Sequence, residues 1–148
     1  MDIKFNYKIQ NVNMDHIPHG LKSHFLNLYS IALSDTQVEV KELEFLYRFG
    51  QDRGVSKDEL DEIILHPDKI SFQIPEDVFR KIEYLYDFAK MILADGIVDE
   101  FEITSLKKFC IKFGFKRDNI ERLCEFLIDE AKHDTPLDEL LKVVKQNL

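Results

Sequence analysis

An all-α domain is what this sequence predicts, on three observations. Apolar residues recur at three- and four-residue steps along most of the chain, the period of a single helix face. Gly54, Pro75, Gly114 and Pro136 fall between those stretches and punctuate them. The chain also repeats itself at an interval of 60 residues, with acidic and glycine positions in register. Short connections between amphipathic helices leave helix packed on helix as the core, so the expected architecture is a seven-helix bundle.

The elements follow in order. Residues 1–20 read as an irregular N-terminal arm, with a short extended piece at 3–9 and a turn marked by Pro18 and Gly20. Residues 21–148 read as a single domain whose repeats cover about 21–65 and 76–131. Leu21, Phe25, Leu28 and Ala32 define the first helix face, and Val40, Leu43, Tyr47 and Gly50 the second. Gly54 suits a left-handed cap. Ser56 and Glu59 form a capping-box pattern that opens a third helix carrying Leu60, Ile63 and Ile64. Residues 66–75 are a connector with a proline near each end and an alternating stretch at 70–74. Val78, Ile82, Leu85, Ala89 and Ile92 line the fourth helix. Ile103, Leu106, Cys110 and Phe113 line the fifth, which stops at Gly114. Ile120, Leu123, Leu127 and Ala131 give the sixth. Pro136 opens the seventh, with Leu137, Leu140, Leu141 and Val144.

Composition narrows the function classes. The 148 residues include 45% hydrophobic and 32% charged residues, an ordinary globular balance. Twelve Phe and no Trp predict a core rich in phenylalanine. The net charge of −8 argues against nucleic acid, whose phosphates are met by Lys and Arg, and favours a cation or a basic protein partner. Without a leader-like apolar segment or a run of about 20 apolar residues, the expectation is a cytoplasmic chain that does not span a membrane. Cys110 and Cys124 fall on apolar helix faces and read as small buried hydrophobes.

The repeat brings two acidic turns into correspondence. Asp35 falls on Asp95, Glu39 on Asp99 and Glu42 on Glu102, while Leu46 meets Leu106, Phe49 meets Phe109 and Gly54 meets Gly114. Shared leucines are expected of any two helices, whereas Asp and Gly in register are not. Each half reads as helix, acidic turn, helix, glycine cap, helix. Two halves that cannot bury their apolar faces alone would pack together as a pseudo-two-fold domain. Asp95, Asp99 and Glu102 offer an all-oxygen set suited to a hard ion such as Ca²⁺ or Mg²⁺, and Asp35, Glu39 and Glu42 could add to it. Aligned with an EF-hand loop, the second turn supplies only the later half of the ligands, because Met91 and Leu93 stand at the first and third positions. The plainer reading of the same carboxylates is helix capping, with Asp99 and Glu102 as a capping box and Asp95-Gly96 as a turn.

The stretch from Met91 through Ala94-Asp95-Gly96 to Asp99 and Glu102 resembles the signature of the tellurite-resistance TerB-like family. Phe113-Gly114-Phe115, Leu85-Tyr86-Asp87, Phe72 and Pro75 are similar to further positions of that family, and the resemblance covers about residues 21–131. The first turn departs from it, with Thr36 where the second has Gly96. The resemblance implies an all-α fold and a stress- or tellurite-resistance role. It also implies binding rather than catalysis, with a divalent cation and protein partners.

Other patterns carry less. His66-Pro67-Asp68 spells the tripeptide of J-domain co-chaperones but follows an acidic helix instead of a basic one. His16 and His19 flank Pro18 in the arm, and His24 and His133 read as isolated. Lys107, Lys108, Lys112, Lys116 and Arg117 form a basic stretch that reads as a solvated face. The alternatives to a binding module are a structural interaction domain without a ligand and a metal-dependent hydrolase, which would require a histidine or base beside the carboxylates.

Overall fold

The computed structural model describes residues 14–32, 40–94, 96 and 98–147, and the regular elements among them are all helical. In chain order they are α1 (His19–Ala32), α2 (Val40–Asp52), α3 (Lys57–Leu65), a 3₁₀ turn (Pro67–Lys69), α4 (Val78–Ile92), α5 (Glu100–Lys112), α6 (Arg117–Lys132) and α7 (Leu137–Gln146). The seven expected α-helices are all present. The extended piece expected at 3–9 lies outside the described residues, as does most of the first acidic turn.

One boundary and one helix face depart from the sequence reading. The first helix begins at His19, so Gly20 sits inside its first turn. Proline suits the position just ahead of a helix because its φ is already helical and it has no N–H to leave unpaired. The Pro18 carbonyl accepts from the amides of Leu21 and Lys22 at 3.0 and 3.1 Å. The end of the arm is also part of the core, since Ile17 is buried. In α2 the buried residues are Glu42, Leu46 and Gly50, while Val40 is 68% exposed. Leu43, Phe45, Leu46, Tyr47 and Phe49 spread over about 200° of the helix circumference at about 100° per residue, wide enough that packing chooses the inward direction within that arc. A Cβ on Gly50 would come within 3.2 Å of the Val55 carbonyl, and this close approach fixes the rotation.

Local rules govern the helix ends. Ser56 and Glu59 make both bonds of the expected capping box: the Glu59 amide donates to Ser56 Oγ (3.2 Å) and the Ser56 amide to Glu59 Oε1 (2.8 Å). Gly54 and Gly114 adopt φ of +80° and +94°. At each, the glycine amide bonds back three residues and the next amide five, the Schellman pattern that closes α2 and α5. The connector after α3 is fastened to α1, where the Gln73 amide donates to Ser23 Oγ (2.9 Å) and the Ser71 amide to His19 Nε2 (3.2 Å).

α4 is the centre of the bundle and packs against α1, α2, α5, α6 and α7. Its inner residues are buried on nearly every side, from Tyr84 through Phe88 to Ile92. Phe25, Phe88, Phe113 and Tyr86 are fully buried, in line with the expected phenylalanine-rich core. Each contributes about 2–3 kcal/mol by leaving water. Phe88 meets Phe109 and Phe113 at ring distances of 4.9 and 6.4 Å, tying α4 to α5. Among the described residues, no helix is long and apolar enough to cross a membrane.

Candidate functional site

The acidic turns come first, because the sequence singles them out. In the second, Gly96 takes φ +80°, the left-handed conformation that an Asp-Gly turn calls for. Asp99 is the N-cap of α5, and its carboxylate accepts from the Phe101 amide at 2.7 Å. One carboxylate oxygen so engaged leaves the other able to accept further bonds. Glu102, the third residue of α5, is 2% exposed. Glu42, the third residue of α2, is 1% exposed. The two stand 60 residues apart, and neither is without a partner. Asp35, Glu39 and Asp95 lie outside the described residues. Among the described residues, no three His, Cys, Asp or Glu side chains are grouped so as to hold a metal ion.

A second polar centre was not expected. His24, read from the sequence as isolated, is buried in the core of α1 with its Nε2 2.9 Å from Asp87 Oδ2 on α4. Arg53, just beyond α2, holds both oxygens of the same carboxylate at 3.1 and 2.9 Å and reaches Glu83 at 3.4 Å. The His24 ring stacks on Tyr84, with centroids 3.7 Å apart and planes 5° from parallel. Arg53 also lies over the Phe49 ring at 4.1 Å.

Electrostatics fix the state of this centre. Burial is the largest influence on His24 and holds its pKa below the ordinary 6.5, against the hydrogen bond to Asp87, which pulls it up. The hydrogen bonding agrees. Among the described residues Nδ1 has no partner, so an imidazolium would bury an unpaired N–H, whereas a neutral ring with its proton on Nε2 donates to Asp87 and leaves only a lone pair unmet. Arg53 already neutralises Asp87, which removes the need for a second cation.

Arg53 and Tyr84 also form part of the wall of an open cleft of about 600 Å³, together with Leu21, Gln73, Arg80 and Glu83. The cleft lies where α1, the end of α2, the connector and the start of α4 meet. Its charged lining is two guanidinium groups, those of Arg53 and Arg80, and two carboxylates, those of Glu83 and Asp52.

The signal for this centre was present but incomplete. His24 stands three residues after Leu21 and four before Leu28, in the apolar row of α1. Asp87 interrupts the apolar run Tyr84–Ile92. Each marks a buried polar group in want of a partner, yet nothing local names the partner. The remaining histidines have separate partners: His16 meets Glu59 at 3.0 Å, His19 the Ser71 backbone, His66 Glu62 at 3.4 Å, and His133 the Asp129 carbonyl. Compared with known proteins, the chain matches no family model, no curated protein and no solved structure.

Proposed function

We propose that this protein is a TerB-like binding module whose acidic turns hold a divalent cation and that it acts through protein partners in a stress or tellurite response. The observation that carries the cation reading is the burial of Glu42 and Glu102 at the same position in two helices, each directly after an acidic turn. Placing a carboxylate inside a protein costs several kcal/mol unless hydrogen bonds or a cation offset it. Finding the same arrangement twice supports turns built around those carboxylates. The donors are all oxygen, which suits Ca²⁺ or Mg²⁺ over softer ions. Asp99 and Glu102 would hold the ion in the second turn, with Asp95 completing the set, and Glu42 with Asp35 and Glu39 would serve the first. The ion would order the turns and so shape the surface offered to a partner.

A second reading has its own support. The short bond from the Phe101 amide to Asp99 is a sufficient role for that carboxylate, and an interaction domain without any ligand would use the acidic residues as helix caps alone. Calorimetric titration of the metal-free protein with Ca²⁺, Mg²⁺, Mn²⁺ and Zn²⁺ separates the two. Saturable binding, lost in the Asp99→Asn/Glu102→Gln variant while its helical content is kept, supports the cation module. Absence of heat with every ion sinks it and leaves the ligand-free domain. The stoichiometry adds a further reading: one ion per chain if a pseudo-two-fold axis brings the turns together, two if each acts alone.

A further inference from the structure

The two cysteines are neighbours in space. Cys110 of α5 and Cys124 of α6 place their sulfurs 3.8 Å apart, both reduced and both buried. A second contact between the same helices lies three residues earlier in each, where Lys107 Nζ meets Glu121 Oε1 at 2.8 Å. Residues three apart share a helix face, so the ion pair and the thiol pair join the same two helix faces. The ion pair is the outer contact, with the Glu121 side chain 70% exposed, and the thiols are buried.

We propose that Cys110 and Cys124 form an oxidation site, at which a hydroperoxide converts the two thiols into a disulfide that joins α5 to α6. The proposal stands whether or not the acidic turns bind a cation. The contact distance carries it, since closing from 3.8 Å to a bond of about 2.05 Å needs a movement that side-chain rotation and a small helix adjustment supply. The pair is also polarised. The hydrogen bond with Cys110 and the Lys107 ammonium hold the Cys124 thiol below its usual range, while the same bond and burial hold Cys110 above it. Cys124 is therefore the attacking sulfur and Cys110 the resolving one.

The chemistry balances in two steps. The Cys124 thiolate attacks one peroxide oxygen, the O–O bond breaks, and the departing oxygen takes a proton from solvent, leaving Cys124 as a sulfenic acid. The Cys110 sulfur then gives up its proton and attacks the Cys124 sulfur. The S–S bond forms, the S–O bond breaks, and hydroxide leaves with that proton as water. Two thiols lose two electrons and two protons, and the peroxide takes them up.

The test exposes the native chain to hydrogen peroxide and follows thiol titration, intact mass and peptide mapping. Both thiols should vanish together, the mass should fall by two hydrogens, and the Cys110 and Cys124 peptides should be joined within a monomer that dithiothreitol restores. In Cys110→Ser, Cys124 should stop at a sulfenic acid trapped by dimedone. In Cys124→Ser, loss of the Cys110 thiol should slow more than about tenfold. Two results overturn the proposal: native thiols that persist under conditions that oxidise the urea-unfolded chain, or a Cys110 that reacts at its wild-type rate without Cys124.

Discussion

His24 shows how one buried side chain sets the behaviour of its surroundings. Its pKa is lowered in the fold, so between the unfolded value of about 6.5 and the lower folded value the unfolded chain binds a proton that the native chain refuses. Stability therefore rises with pH through that window and is lost as pH falls below about 6.5, by up to about 1.4 kcal/mol per pH unit for one proton. Urea midpoints measured from pH 7.5 to pH 5 should fall accordingly, and the component due to this residue should disappear in His24→Phe, which keeps an aromatic ring against Tyr84. An unchanged slope in that variant would mean other groups set the acid limit. Asp87 is the harder residue to replace. Asp87→Asn removes the charge that Arg53 grips with two bonds, and stripping one partner from a buried ion pair should cost about 3 kcal/mol, read from the same denaturation curves. Neither residue's role was legible in the sequence, although each was conspicuous there. They lie 63 positions apart, and no periodicity links two helices at that distance.

Helix ends were the most legible elements because the rules that make them are local. Gly54, Gly114 and the Ser56–Glu59 box each depend on a few consecutive residues, and each stands where the sequence placed it. The inward face of α2 was less so, since its apolar residues spread over more than half of the circumference and more than one direction within that arc would bury them. The end of α6 was missed for a different reason. Thr135 bonds back to the Glu130 carbonyl and Asp134 to that of Ala131, the same Schellman pattern as at the two glycines, but the left-handed residue is Asp134 at φ +53°. A left-handed backbone costs a non-glycine residue about 1 kcal/mol, and an acidic charge at a helix C-terminus adds to that. Asp134→Gly should therefore stabilise the protein by about 0.5–1 kcal/mol after the extra freedom of glycine in the unfolded chain is counted. The expected signature is a higher urea midpoint with an unchanged m-value. The fully buried Tyr86 should hold this cap in place in the variant, because its hydroxyl donates to the Thr135 carbonyl at 2.6 Å.

At the scale of the whole molecule, the 60-residue period appears in helix boundaries and in burial. α2 and α5 end at 52 and 112, and α3 and α6 start at 57 and 117. Residues 41–48 and 101–108 follow the same succession of exposed, half-buried and buried positions. This much follows from sequence, because the same residue types at the same spacing make the same helices. The unequal weight of the two halves does not follow from it. α4 has become the hub, packed on α1 and α2 of the first half as well as on α5, α6 and α7 of the second, and the His24–Asp87–Arg53 centre joins the halves through it. Cutting the chain between residues 75 and 76 would strip α1 of α4, the helix it contacts most, and expose one side of α4. Neither piece should then fold cooperatively. Residues 14–75 and 76–148, prepared separately, should each lack a sigmoidal urea transition and bind a hydrophobic dye, whereas mixing them should restore helicity and a single transition. A second half that unfolds cooperatively alone would mean that α5, α6 and α7 suffice to bury α4, and that the first half is an addition to a finished domain instead of half of its core.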